Sequence, residues 1–173
     1  MGRTFPIELE ITRFDKAYLF LRENEGWFSD DPDDIGGMTI FGIAVHYHPV
    51  TFWKVYRAIK KGDVLTARTL TKDFYRKKYW NKFYDEIIDA KLAIRLFDVG
   101  VNIGKRRAVK LLQKIVAVQQ DGIFGPLTLA GVNNYKDNLY IRYILALEIY
   151  YRSRRKFKKF GKGWLTRLRR KID

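Results

Sequence analysis

Residues 23 to 43, ENEGWFSDDPDDIGGMTIFGI, bring glutamates, four aspartates, paired glycines and several rings into one short stretch. Phe14, Tyr18 and Leu21 recur at the spacing of an amphipathic helix, and four residues past Leu21 the same stripe reaches Glu25. Glu23 falls roughly opposite the stripe and should face water. Glu25 is thus the carboxyl placed to lose solvent. Trp27, Phe28 and Phe41 can supply apolar surroundings. These disfavour the carboxylate anion, raise its pKa and let it serve as a protonated general acid. The plainer reading is a helix-terminal Glu in a structural hydrogen bond. Gly26 ends the helix, and Pro32 with Gly36-Gly37 marks turns. Asp30, Asp31, Asp33 and Asp34 crowd into five positions and repel one another. Some should therefore accept backbone N–H bonds as turn caps while one or two point at a ligand. An oxygen-rich loop can hold calcium, but the EF-hand spacing with its closing bidentate Glu is absent, so no metal is expected.

The run Glu25-Gly26-Trp27-Phe28, then Asp31-Pro32, Asp34, Gly36-Gly37, Thr39 and Phe41-Gly42-Ile43, resembles the E-G-G-Y, D-P-x-D-x-G-G-x-T and aromatic-G-I signature of the glycoside hydrolase family 108 N-acetylmuramidases. These are lysozyme-like enzymes found largely as phage endolysins and bacterial muramidases. Trp27 stands where the family usually has a second Gly, and Ile35 where Pro is common. The resemblance implies a mainly α, lysozyme-like domain with a small β-hairpin lobe beside the catalytic helix end. It also implies cleavage of the β-1,4 bond between N-acetylmuramic acid and N-acetylglucosamine, with Glu25 as the catalytic acid. The order Glu25, Asp34, Thr39 is similar, more distantly, to the Glu, Asp, Thr order of phage-type lysozymes, which makes Asp34 and Thr39 its expected partners. Trp27, Asp31, Phe41 and Tyr47 are the candidate substrate-binding residues of this region. Acid and base can both be carboxyls, so no cofactor is expected.

These groups need elements to hold them. The spacing predicts a first helix from about Ile7 to Glu25, capped by Thr4, and a hairpin-like loop to about Ile43. Pro49 and Thr51 start a second helix with the stripe Phe52, Val55, Tyr56 and Ile59, stopped at Gly62. His46 and His48, the sole histidines, lack a nearby third ligand, so one of them or Tyr47 is expected to rim the cleft. Asp63 should cap a helix to about Tyr79 with Val64, Ala67, Leu70, Phe74 and Lys78 on one side. Its end, Phe74-Tyr75-Arg76-Lys77-Lys78-Tyr79-Trp80, suits nucleic acid stacking but reads better as an amphipathic helix with a basic outer side. Residues 90 to 104, AKLAIRLFDVGVNIG, should form the buried central helix, with Gly100 and Gly104 allowing close approach of another. Asp98 and Asn102 share a side of it and need partners, in mutual or backbone hydrogen bonds or at the floor of a ligand site. FDVGVNIG resembles the family's F-D-x-x-V-N-x-G motif, which adds Asp98 and Asn102 to the substrate-binding candidates. A further helix carries Val109, Leu112, Gln113 and Val116. Asp121-Gly122 and Gly125-Pro126 then turn the chain into another, with Pro126 at its first position. This D-G-x-F-G-P-x-T pattern resembles the motif of helical peptidoglycan-binding modules. Tyr140, Tyr143, Ile144, Leu147, Ile149 and Tyr151 should bury the next helix, with a break at Gly161 and Gly163.

With 173 residues, 47% of them hydrophobic, the chain suits one well-filled domain. Residues 1–90 are its catalytic part with the hairpin loop, and residues 91–173 a helical part that does not fold independently. Without cysteine there is no disulfide framework or thiol chemistry. Glu8 and Glu10 interrupt the apolar run a signal peptide needs, so synthesis in the cytoplasm and action in the periplasm or wall after holin-type or other release are expected. Of the formal net charge of +15, eleven Lys and Arg lie between Arg152 and Lys171 with no acid among them, leaving about +4 elsewhere. Such a block points to a polyanion: wall polymers, lipopolysaccharide phosphates, anionic lipid or nucleic acid. Peptidoglycan glycan strands are the expected main partner, the protein acting as a monomer without obligate nucleic acid. The competing readings are a non-catalytic wall-binding protein and a basic nucleic-acid-binding protein. Against the latter, zinc-finger, RNP and basic-zipper patterns are absent, and four Asp in the special loop would repel phosphates.

Overall fold

The computed structural model describes residues 11–23, 28–30 and 36–172. Helix α1 (Arg13–Arg22) starts at a capping box: the Asp15 N–H donates to Thr12 Oγ1 at 3.2 Å, and the Thr12 N–H donates back to the Asp15 carboxylate at 3.0 Å. Because Thr12 is extended, α1 opens there at Arg13; the expected start at Ile7 and cap at Thr4 lie outside the described residues. Phe14, Ala17, Tyr18, Phe20 and Leu21 bury the inner side, as the stripe predicted.

Among the described residues three two-residue strands follow, β1 (Phe28–Ser29), β2 (Thr39–Ile40) and β3 (Ile43–Ala44), antiparallel in that order. Ser29 and Ala44 flank Thr39, and Phe28 and Ile43 flank Ile40. The β2–β3 turn is Phe41-Gly42, both with positive φ, +48° and +75°, the two-residue geometry whose twist matches paired strands. Phe41 holds that left-handed conformation because its ring is buried and its carbonyl accepts a 2.8 Å hydrogen bond from the buried Tyr75 hydroxyl.

Helices α2 (Pro49–Lys60) and α3 (Val64–Tyr79) form an antiparallel pair, with Asp63 capping α3 through the Thr66 N–H at 3.0 Å. The buried stripe of α3 is Ala67, Thr71 and Tyr75. Val64 is exposed and Lys78 faces solvent, so the predicted stripe is rotated. A 3-10 turn, Lys82–Glu86, leads to α4 (Ala90–Ile103), in which every residue from Leu92 to Gly100 is buried. A helix covered all round is a central one. It packs against α1 and α3 and against two later helices, α5 (Lys105–Ile115) and α7 (Leu139–Arg152). Gly104, with φ at +90°, both ends α4 and starts α5, a one-residue corner that a side chain would strain. Phe14, Trp80 and Phe97 meet edge to face at 5.4–5.8 Å between centroids, tying α1 and the end of α3 to α4. Each such pair adds about 0.5–1.5 kcal/mol beyond its burial.

In α5 the buried Gln113 locks the next turn: its amide donates to Asp121, to the Ile123 carbonyl and to Thr128 at 2.8–3.1 Å, and its oxygen accepts from the Gly122 N–H at 2.9 Å. That turn delivers Pro126 as the first residue of α6 (Pro126–Asn133). After α7 the chain breaks at residues 153–156, and α8 (Phe157–Arg169) runs straight through Gly161 and Gly163. The expected break at those glycines is corrected. Gly161 is instead a packing glycine, since a Cβ there would stand 2.6 Å from the Phe157 ring. Ile149, expected inside, is 70% exposed.

Candidate active site

The C-terminal end of α1 is where the hairpin and α8 meet. From the hairpin side, the Arg22 guanidinium lies 5.3 Å over the Phe41 ring. From the other, Arg170 forms an ion pair with Glu23 and rests 4.8 Å over Phe20. Between Glu23 and α8 opens a cleft of about 920 Å³. Glu23 is exposed, as its position opposite the stripe predicted. Asn102, Trp164, Thr166, Lys162 and Arg169 face Glu23 and Arg170 in its lining.

A buried ion network holds α8 in place. Arg95 on α4, fully buried, donates to the carbonyls of Arg167 and Arg170 at 3.2 and 2.6 Å, so a cation sits at the carbonyl end of α8. It also reaches Asp98 at 3.4 Å and the Tyr140 hydroxyl at 3.3 Å, and lies 4.9 Å over Phe20. Asp98 in turn accepts from Arg167 Nε and a terminal nitrogen at 3.1 and 2.8 Å. Asp98 and Asn102 thus do not bond each other. Asp98 is enclosed and clamps α8, whereas Asn102 is exposed in the cleft and accepts from the Tyr151 hydroxyl at 3.1 Å. Burial, with the Asp98 charge second, pushes the Tyr151 hydroxyl up to about 12, so it stays a donor. Tyr151 and Phe160 also stack with Trp164 at 5.6 and 6.0 Å, fixing the indole as a half-buried ring on the cleft wall.

The other residues expected at the site are distributed unevenly. Glu25, Trp27, Asp31 and Asp34 lie outside the described residues. Thr39 is half-buried in the middle strand. Phe41 is 8% exposed under Arg22, where it supports the turn and offers no open face. Tyr47 is 63% exposed. His46 packs on Gly37, where a Cβ would come within 2.9 Å of the ring, so this glycine is needed both for φ +67° and for room. His48 lies 4.8 Å from the Phe74 ring and 3.3 Å from Lys78 Nζ. Among the described residues no three His, Cys, Asp or Glu side chains gather as metal ligands. A second groove, about 370 Å³, lies between β1 and α2 and is lined by Phe28, Ile40, Tyr56, Ile59 and Lys60. Sequence reasoning passed over the α8 wall. Its one signal was the block of positive charge from Arg152 to Lys171, which carried no indication of the cleft it would face.

The family model described as glycosyl hydrolase 108 matches residues 18–104, half of the chain, from within α1 through the hairpin to the end of α4. The structure of Brucella abortus SagA is 32% identical, with a TM-score of 0.71 over 90% of this chain and 88% of that one. No curated protein matches. The fold is mainly α with a small hairpin lobe at the end of α1, as the resemblance implied. On this fold and these two matches, the chain belongs to the glycosyl hydrolase 108 family, and family membership makes it a glycoside hydrolase and supports peptidoglycan as the polymer it degrades.

Proposed function

We propose that the protein is an N-acetylmuramidase, hydrolysing the β-1,4 bond between N-acetylmuramic acid and N-acetylglucosamine, with Glu25 as general acid. The observation that carries this reading is that α1 delivers its last turn to the cleft: Glu23 lines it, and Glu25 is two residues further on. Two residues of chain reach no more than about 7 Å. Glu25 gives its proton to the glycosidic oxygen as an oxocarbenium-like transition state forms. Asp34 orients water, stabilises the positive charge or acts as nucleophile. Its separation from Glu25 decides among these, about 5 Å for retention and more than about 6.5 Å for inversion. Thr39 is held between Ser29 and Ala44, a position suited to steadying the hairpin or a water. Trp164 offers a ring to a sugar face, and Asn102 and Thr166 offer hydrogen bonds. The site of action is the wall or periplasm.

The bond is tested by digesting purified peptidoglycan and identifying the new chain ends by mass spectrometry. Reducing-end muramic acid is expected. Reducing-end glucosamine, or anhydro-muramic ends from lytic transglycosylation, would contradict the assigned reaction.

A further inference from the structure

The wall that α8 presents to the cleft carries more positive charge than its packing uses. Arg167 is engaged by Asp98 and Arg170 by Glu23. Two more cations stand in the same lining. Arg169 has Glu148 3.7 Å away, a loose pair, and Lys162 has no carboxylate partner among the described residues. The lining holds one described carboxylate, Glu23, against these four cations. Lys162 and Arg169 are seven residues apart, which places them on one side of α8 about 10 Å apart along its axis, with Thr166 between them. They form a row along the cleft. Like charges aligned in a concave wall repel one another and focus a positive potential into the space they face.

Apart from the lactyl carboxyl of muramic acid, which the amide bond to the stem neutralises, an N-acetyl glycan is uncharged and would use only the ring and hydrogen-bonding groups, Trp164, Asn102 and Thr166. The cations need a different reason. In peptidoglycan every muramic acid can carry a peptide stem, and those stems bear free carboxylates beside the bond that is cut. Ammonium and guanidinium groups pair with carboxylates through charge-assisted hydrogen bonds. We propose that Lys162 and Arg169 form a carboxylate-reading subsite on α8, which makes the enzyme select peptide-substituted glycan over bare glycan. This rests on the reading of the protein as a muramidase and names the substrate feature that the cleft recognises.

The test measures binding and cleavage separately, with soluble glycan oligomers that carry stems or have been stripped of them by an amidase, the lactyl carboxylate which this leaves on each muramic acid then being capped as its methylamide. Calorimetric titration of the full chain at low salt is expected to give about fivefold tighter binding of the stem-bearing oligomer, as exposed ion pairs allow. That advantage should shrink as salt screens it. Lys162→Gln should reduce the ratio, and Lys162→Glu combined with Arg169→Glu should bring it to about one. Lys162→Arg should keep it. Equal affinity of the wild type for both oligomers, or a ratio that both charge-removing variants leave intact, would overturn the subsite. Tighter competition by a phosphate polymer than by the stem-bearing oligomer would overturn it as well. Cleavage of both oligomers at one rate, with equal binding, would sink the subsite and leave the muramidase standing. Stem-selective binding without any cleavage would do the reverse, supporting the subsite and removing the catalytic reading.

Discussion

At the scale of single residues, Asp98 shows how a polar group on a buried helix finds its partners in two arginines. Its carboxylate pairs with the fully buried Arg95 and with the largely covered Arg167. Removing it leaves Arg95 buried with no anion, so Asp98→Ala should cost about 3–5 kcal/mol in denaturant unfolding. The combination with Arg95→Met should cost less than the sum of the two, because the second change removes the stranded charge. Additive losses would mean that the two groups do not act as a pair. From the sequence, Asp98 stood out as a polar residue in an apolar helix. Its partner could not be found that way, because Arg167 lies 69 positions along the chain and only packing brings it near. Arg95 was hidden for a similar reason: an arginine in a helix ordinarily reads as solvated, and here it is fully buried beneath the carbonyl end of α8.

At the scale of elements, the contact between the start of α2 and the last turns of α3 is sensitive to pH. His48 packs there on Phe74 and beside Lys78. Burial first, and then the Lys78 charge, hold the imidazole below its usual 6.5, so the folded state favours the neutral ring. As pH falls through 6.5 the unfolded chain takes up this proton before the folded one does. The contribution is therefore whole above 6.5 and is lost on acidification through the lowered folded value. Between about pH 7.5 and about pH 5, His48→Gln should lose less melting temperature than the wild type. An equal or steeper loss would show that His48 is not the responsible group. The legible elements were those with strong local punctuation: Pro49 and Gly62 around α2, Asp63 before α3, Pro126 at α6. The misread ones turn on packing. Thr12 was missed because its box closes on Asp15 where Glu is more usual. Gly161 looks like a breaker in sequence, yet the Phe157 ring fills the space its missing side chain leaves.

At the scale of the molecule, the two halves of the sequence line one cleft between them. The residues that match the family end at position 104, with α4, while the far wall of the cleft comes from α8 beyond it. Local motifs pointed to the end of α1, because the proposed catalytic carboxyl, Glu25, and the turn residues after it lie close together in the chain. The opposing wall was legible only as a block of charge, since nothing local says which helix a basic segment will face. The Arg95, Asp98 and Arg167 network supplies that missing information in the folded state. The central claim is that the carboxyl following α1 drives cleavage of wall glycan in this cleft. Its most direct measurement is the rate of reducing-end release from purified peptidoglycan by Glu25→Gln beside the wild type, with wall binding measured on the same samples. Loss of one general acid is expected to lower the rate by about two to four orders of magnitude while binding is kept. A variant that still cleaves at the wild-type rate would contradict the account.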